Sequence, residues 1–364
     1  MKTKIGFIGL GLIGGSIAKA IRQYYPDYEI VAFDKNKETL ALAVQESVID
    51  TAAAAIDGNF QDASYIFLCA PVAYNTAYLK QLREFIHEGC ILTDVGSVKQ
   101  NIHREVSALH LEEHFIGGHP MAGSEKTGFS NSKAMLIENA YYVLTPSAGV
   151  SAEKIARYEN FIKNLHAIPI VLDYRQHDYV TGTISHLPHI IASSLVNYVK
   201  RTDTDEELMK NLAAGGFKDI TRIASSSPVM WQHICLANRE NISKILGGYI
   251  ESLKDFKKQI DAGDDSGIYD NFNSSRNYRN SIPNTLAGPI KKAYAVYCDI
   301  IDEAGGIAAI ATILAAGGLS LKNIGIVNNR EFEEGVLRME FYDEASSKKA
   351  SELLQKFRYI VYER

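Results

Sequence analysis

The sequence predicts an α/β fold in three parts: a doubly wound parallel sheet, an all-α segment, and a small ferredoxin-like βαββαβ unit. Three observations predict it. Near the start, a short apolar run (Ile5, Phe7, Ile8) passes directly into Gly9-Leu10-Gly11-Leu12-Ile13-Gly14 and then into helically spaced apolar residues up to Ile21. Strand and helix patterns then alternate as far as Leu172, after which strand signals stop and long amphipathic patterns take over. After Asn271–Pro289, a stretch rich in Asn, Ser, Arg, Gly and Pro, alternation resumes. The expected divisions are 1–172, 173–285 and 293–364.

The opening stretch has a physical reading. Strand, glycine turn and helix in that order mark a dinucleotide-binding βαβ unit, the Rossmann arrangement. Gly9 is placed for the tight turn, Gly11 for close approach of a pyrophosphate and Gly14 for packing of the helix on the strand. The helix N-terminus, at Leu12 and Ile13, offers unpaired N–H groups and a partial positive charge to the phosphates. A second strand, Glu29–Phe33, ends in Asp34, at the spacing of a carboxylate that holds ribose hydroxyls. Asp34 favours NAD because it repels a 2′-phosphate, while Lys35 and Lys37 keep NADP as the alternative. Lys2, Lys4 and Ala18-Lys19-Ala20 superficially resemble a secretory signal, but cleavage there would remove the glycine pattern.

Composition excludes several classes. A net charge of −5 gives no basic surface for nucleic acid or an acidic membrane, and no apolar run reaches spanning length. Cys69, Cys90, Cys235 and Cys298 are scattered without a C-x-x-C pair, which points to reduced thiols in the cytoplasm and against a zinc site.

Along the chain, Lys37–Glu46 has helical spacing and Tyr65–Pro71 is a continuous apolar strand, which puts Ala70 and Pro71 at a carboxyl end facing the cofactor. Thr76–Ile86 is helical, and Cys90–Asp94 is a strand leading into Val95-Gly96-Ser97-Val98-Lys99. Ser97 fits a helix N-cap and also the nicotinamide end of the site. Phe115–Gly117 delivers Gly118-His119-Pro120, which places His119 in a crevice. Tyr141–Pro146 and Ile168–Leu172 are the last strands of the sheet. The helical segment holds Ser185-His186-Leu187-Pro188-His189, Gly216–Arg222 and the single tryptophan, Trp231. Large apolar helices of this kind need a partner face, which predicts dimerisation. His186 and His189 lie three apart, yet no third ligand is spaced to join them to a metal. In the last part, Ala293–Ile301, Ile324–Asn328, Gly335–Phe341 and Tyr359–Tyr362 have strand character, with helices at Ile307–Ala316 and Ser346–Phe357.

Four motifs, in order, carry a resemblance: Gly96-Ser97-Val98-Lys99, Gly117–Gly123, Ser185–His189 and Gly216–Arg222. Over residues 1 to about 285 the chain resembles the prephenate dehydrogenases, and its tail resembles an ACT domain, an amino-acid-sensing module. The tail's turn, Asp302–Gly306, lacks the proline often found before the ACT glycine. The resemblance implies oxidative decarboxylation of prephenate to 4-hydroxyphenylpyruvate with NAD⁺ as hydride acceptor. It implies His119 as proton acceptor and Ser97 as hydrogen-bonding partner of both the substrate hydroxyl and His119. Arg222 would hold the ring carboxylate and His189 the pyruvyl side chain. Ser124 and Glu125 would line the pocket, and Trp231 would stand there or in the dimer interface. The implied cofactor set is Gly9, Gly11, Leu12, Ile13, Gly14, Asp34, Ala70 and Pro71, with no metal. L-Tyrosine is the implied effector and a homodimer the implied assembly.

Arogenate, with an amine in place of the side-chain keto group, is the alternative substrate. A β-hydroxyacid dehydrogenase shares the layout but normally uses a lysine where this chain offers His119. A hydrolase built on Ser97, His119 and Asp94 lacks the G-x-S-x-G elbow. A non-catalytic sensor of NAD and tyrosine would show no turnover.

Overall fold

The structure, a computed structural model, describes residues 3–123, 126–282, 294–300, 305–327 and 335–362. The chain divides into two compact units, 1–290 and 291–364.

The first unit opens with β1 (Lys4–Ile8), α1 (Leu12–Tyr24), β2 (Glu29–Phe33), α2 (Lys37–Gln45), β3 (Thr51–Ala52), β4 (Ala63–Leu68), α3 (Val72–Leu82), β5 (Ile91–Asp94) and α4 (Gln100–Ala108). The five strands are parallel, in the order β3-β2-β1-β4-β5. Their apolar runs are buried on both faces, as the uninterrupted pattern predicts. Tyr65 and Phe67 of β4 join one core with Ile17 of α1, whereas Ile66 and Leu68 join another with Leu79 of α3 and Val106 of α4.

The sheet continues through a parallel bridge, Leu92 to Phe115, into β6 (Ile116–Pro120), β7 (Tyr141–Pro146), α5 (Ala152–Asn164) and β8 (Ile168–Val171). Here the expectation of a wholly parallel sheet needs correcting. β7 runs antiparallel to β6, because the described residues of the intervening segment form no crossover helix to return the chain to the same end. β8 is again parallel to β7, with α5 as the crossover.

Helices follow: α6 (Tyr174–Thr181), α7 (Leu187–Thr202), α8 (Leu208–Leu212), α9 (Gly215–Thr221), α10 (Pro228–Ala237), α11 (Arg239–Ala262) and α12 (Asp265–Ser281). Between α6 and α7 the chain stays helical through a π turn, Gly182–His186. Pro188 accounts for it: without an N–H, it cannot bond back to the preceding turn, so the ladder slips. Few residues of α8–α12 are buried, and Ile184, Tyr198, Leu212, Val229, Leu236 and Phe272 are more than half exposed. Burial of such a face against a partner is the reason to expect a dimer. The segment read as a boundary, Asn271–Pro289, starts inside α12, which carries on to Ser281 because Asn and Ser are tolerated on its exposed faces.

The second unit has β9 (Tyr294–Ile300), α13 (Gly306–Ala316), β10 (Leu321–Val327), β11 (Gly335–Phe341), α14 (Glu344–Lys356) and β12 (Val361–Tyr362). The sheet is antiparallel in the order β10-β11-β9-β12. Cys298, Leu337 and Met339 pack on Ile310 and Leu314 of α13 and Leu354 of α14. That is the ferredoxin-like arrangement expected. Asp302, Glu303 and Ala304 of the expected turn, and Asn328 at the end of the expected second strand, lie outside the described residues.

Candidate active site

The glycine loop is built around two close approaches. Gly9 has φ +97°, and a Cβ there would stand 2.8 Å from the Ala70 backbone nitrogen. A Cβ on Gly14 would stand 2.6 Å from the Gly9 carbonyl oxygen and 2.8 Å from Cys69 Cβ, so α1 rests directly on the ends of β1 and β4. A Cβ on Gly11 would meet no protein atom, so the space beside it is open. Gly11 is also the N-cap of α1 and supplies no side-chain cap to the first turn at Leu12 and Ile13. Asp34 Oδ2 accepts the Leu10 N–H at 2.7 Å and Oδ1 accepts that of Asn36 at 2.8 Å, which holds the carboxylate beside the loop. Pro71 is the exposed N-cap of α3. These residues form a cradle that fits a dinucleotide.

At the carboxyl ends of β5 and β6 the site turns ionic. Lys99 Nζ lies 2.6 Å from both carboxylate oxygens of Asp94 and 2.6 Å from the Gly118 carbonyl. Asp94 also accepts the backbone N–H of Gly96 at 2.9 Å and of Gly118 at 3.3 Å. This carboxylate is therefore committed to Lys99 and the loops, not to a histidine as a hydrolytic triad would need. A Cβ on Gly118 would come within 2.7 Å of the Asp94 carbonyl oxygen, which is why a glycine precedes His119.

His119 belongs to β6 itself and is 9% exposed, deeper than a crevice residue at a strand end. Its Nδ1 lies 2.8 Å from His177 Nε2, and His177 Nδ1 lies 2.8 Å from Asp178 Oδ1. Burial pushes the His119 pKa well below the ordinary imidazole value, and the neighbouring His177, Lys99 and His186 push the same way. The ring is neutral near pH 7. No hydrogen bond joins it to Ser97 among the described residues. Nor does Ser97 cap α4: the N-cap position is Lys99, and Asp178 does the capping by accepting the N–H groups of Lys99 and Gln100, each at 2.8 Å. His177 and Asp178 are functional candidates that sequence reasoning missed. Their signal, an adjacent His-Asp at a helix start, is common on protein surfaces.

The π turn brings the next residues in. His177 and His186 are nine apart, about two and a half turns of an unbroken α-helix, which would set them on opposite faces. The wider turn reduces that offset, and both are buried. Asn238, at the start of α11, donates from Nδ2 to the Asp178 carbonyl at 2.8 Å and contacts His186 Nδ1 at 3.2 Å. Trp231 meets His186 edge-on and stacks on His189 with ring centroids 3.8 Å apart. His189 Nδ1 is bound to the Ser185 carbonyl at 2.9 Å. Arg222 ends α9, in a turn packed on α7, and its charge acts on His189. The structure thus collects His119, His189, Arg222 and Trp231 around α6 and α7. Ser124 and Glu125 lie outside the described residues, and no group of three potential metal ligands exists among those that are described.

Comparison with known proteins decides the family. Residues 17–171 match the family model described as prephenate dehydrogenase, nucleotide-binding domain, and residues 173–274 match the one described as prephenate dehydrogenase, dimerization domain. A prephenate dehydrogenase of Bacillus subtilis is 36% identical over 98% of this chain and 96% of its own length. The chain belongs to the prephenate dehydrogenase family. A second member, from Lactococcus lactis, is 35% identical over 97% of this chain and 98% of its own length. Among solved structures, prephenate dehydrogenase from Aquifex aeolicus in complex with hydroxyphenyl propionate and NAD⁺ has a TM-score of 0.73 at 31% identity, covering 78% of this chain and 99% of that one. Synechocystis arogenate dehydrogenase has a TM-score of 0.70 at 28% identity, covering 77% and 100%. As a prephenate dehydrogenase family member the chain is an NAD-dependent oxidoreductase.

Proposed function

We propose that the chain catalyses the NAD⁺-dependent oxidative decarboxylation of prephenate to 4-hydroxyphenylpyruvate, with His119 as the base. The observation that carries this reading is the state of the His119 ring: neutral, buried, bonded at Nδ1, and set at the carboxyl end of the sheet that begins with the glycine cradle. Bound NAD⁺ supplies the acceptor for the hydride leaving the carbon that bears the hydroxyl. As that carbon becomes a carbonyl its hydroxyl proton must go to a base, and a neutral imidazole can take it. Ser97, in the loop before α4, hydrogen-bonds the hydroxyl. Arg222 presents a planar fork to the ring carboxylate. His189, held by the Ser185 carbonyl and flattened on Trp231, addresses the pyruvyl side chain. The resemblance also assigns Ser124 and Glu125, outside the described residues, to substrate binding. Loss of CO₂ makes the substrate ring aromatic and drives the reaction forward. The test is formation of NADH, followed by absorbance, with prephenate and with arogenate offered separately; faster turnover of arogenate would reverse the substrate assignment.

The same reading divides the chain into a cofactor domain (1–172), a helical substrate and dimerisation domain (173–285) and an ACT domain (293–364) that binds L-tyrosine as feedback effector. Support for the last comes from the βαββαβ order and the β10-β11-β9-β12 sheet. The exposed apolar helices and the dimerization-domain match support a homodimer. No helix among the described residues is long and apolar enough to cross a membrane, and the cysteines are unpaired, in line with a cytoplasmic enzyme.

A further inference from the structure

The hydrogen bonds behind His119 have a direction. Asp178 Oδ1 receives the backbone N–H of Lys99 and Oδ2 that of Gln100, so the carboxylate is locked in place by groups that can only donate. Held there, Oδ1 can only accept from His177 Nδ1, 2.8 Å away, and His177 therefore carries its hydrogen on Nδ1. The lone pair of neutral His177 is then on Nε2. That atom lies 2.8 Å from His119 Nδ1, which must donate to it. By this connectivity the hydrogen of His119 is on Nδ1 and its lone pair on Nε2. A neutral histidine side chain in water favours the opposite tautomer, with hydrogen on Nε2 and no base at that atom.

We propose that His177 and Asp178 are positioning residues of the proton-transfer step: together they fix the His119 tautomer so that Nε2 faces the reaction as the base. The proposal rests on His119 being the base. In the step, the substrate O–H bond breaks and an N–H bond forms at His119 Nε2. The imidazolium keeps its Nδ1–H on His177, and Asp178 retains its negative charge without taking a proton. Asp178 acts twice, because the same carboxylate caps α4 and so steadies the loop that carries Ser97. Asn238 braces the pair from α11, through the Asp178 carbonyl.

Two measurements on the full-length protein test this. Nitrogen-15 spectra of histidine-labelled enzyme, with His119 assigned by comparison with His119→Gln, report the tautomer directly and need no turnover. Nδ1–H is expected in the parent protein; Nε2–H there would overturn the proposal. For kinetics, His177→Leu removes the acceptor and His177→Gln keeps one. His177→Leu is expected to bind NAD⁺ as the parent does, to lose about 10²–10³-fold in kcat with little change in KM for prephenate, and to show His119 as Nε2–H. His177→Gln is expected to recover at least tenfold of that loss. A kcat for His177→Leu within about twofold of the parent, or equal losses in both variants, would overturn it. If the parent enzyme itself fails to oxidise prephenate, the functional reading falls while the spectra still decide the tautomer.

Discussion

Lys99 and Asp94 form an ion pair sealed inside the sheet edge, with Nζ 2.6 Å from each carboxylate oxygen and side chains that are 0% and 2% exposed. The third Lys99 bond, to the Gly118 carbonyl, ties the pair to the residue before His119. A buried pair of this kind adds little net stability over an apolar substitute, but breaking it strands a charge. Lys99→Met is therefore expected to cost about 3–5 kcal/mol in denaturant unfolding. The double variant with Asp94→Asn should recover part of that. A single variant as stable as the parent would show that the pair is not sealed.

Acid should unfold the protein in a defined window. Burial lowers the pKa of His103 to about 4 and that of His186 to about 4, and it lowers His119 well below 6.5. Each ring binds its proton more readily when unfolded. Stability is thus complete above about pH 6.5 and declines as pH falls towards 4, by up to about 1.4 kcal/mol per pH unit per site. Unfolding free energies measured from pH 7.5 to 4.5 check this; a flat profile would contradict it. With His119 as the base, its depressed pKa in the folded enzyme predicts a kcat/KM that holds through pH 6.5 and shows its acid limb only well below that value.

Gly14 should matter to the cofactor more than to the fold's existence. A Cβ there meets the Gly9 carbonyl at 2.6 Å and Cys69 Cβ at 2.8 Å, both of them rigid. Gly14→Ala is expected to push α1 away from β1 and raise KM for NAD⁺ at least tenfold, with a smaller effect on KM for prephenate. Steady-state kinetics with each substrate varied would show it.

Much of this was legible in the sequence because local pattern and tertiary need agree. The glycine loop, the β2 acid and the continuous apolar strand 65–68 each have one low-energy solution, and the structure adopts it. The glycines and proline around His119 made its place near the carboxyl end of a strand legible, but not its burial within β6. His177 was not legible: its role comes from a contact with a residue 58 positions away, and nothing in its own neighbourhood signals that. Ser97 misled as an N-cap for the same reason, since a carboxylate 79 residues distant from Lys99 takes that job. The antiparallel turn at β7 was also hidden, because strand direction depends on how the 121–140 segment returns and not on strand composition.

Truncation tests the regulatory assignment. Residues 291–364 form a separate compact unit, so a chain ending at Ile290 is expected to keep kcat for prephenate within about threefold of the parent and to lose inhibition by L-tyrosine. Inhibition that survives truncation would place tyrosine at the active site.

The most direct measurement compares the parent enzyme with His119→Asn, following NADH formation from prephenate and NAD⁺ alongside NAD⁺ affinity by titration. The expected result is rapid turnover in the parent and a kcat lower by about 10³-fold or more in the variant, with NAD⁺ binding unchanged. A His119→Asn enzyme that turns over prephenate at the parent rate would contradict the assignment of this ring as the base.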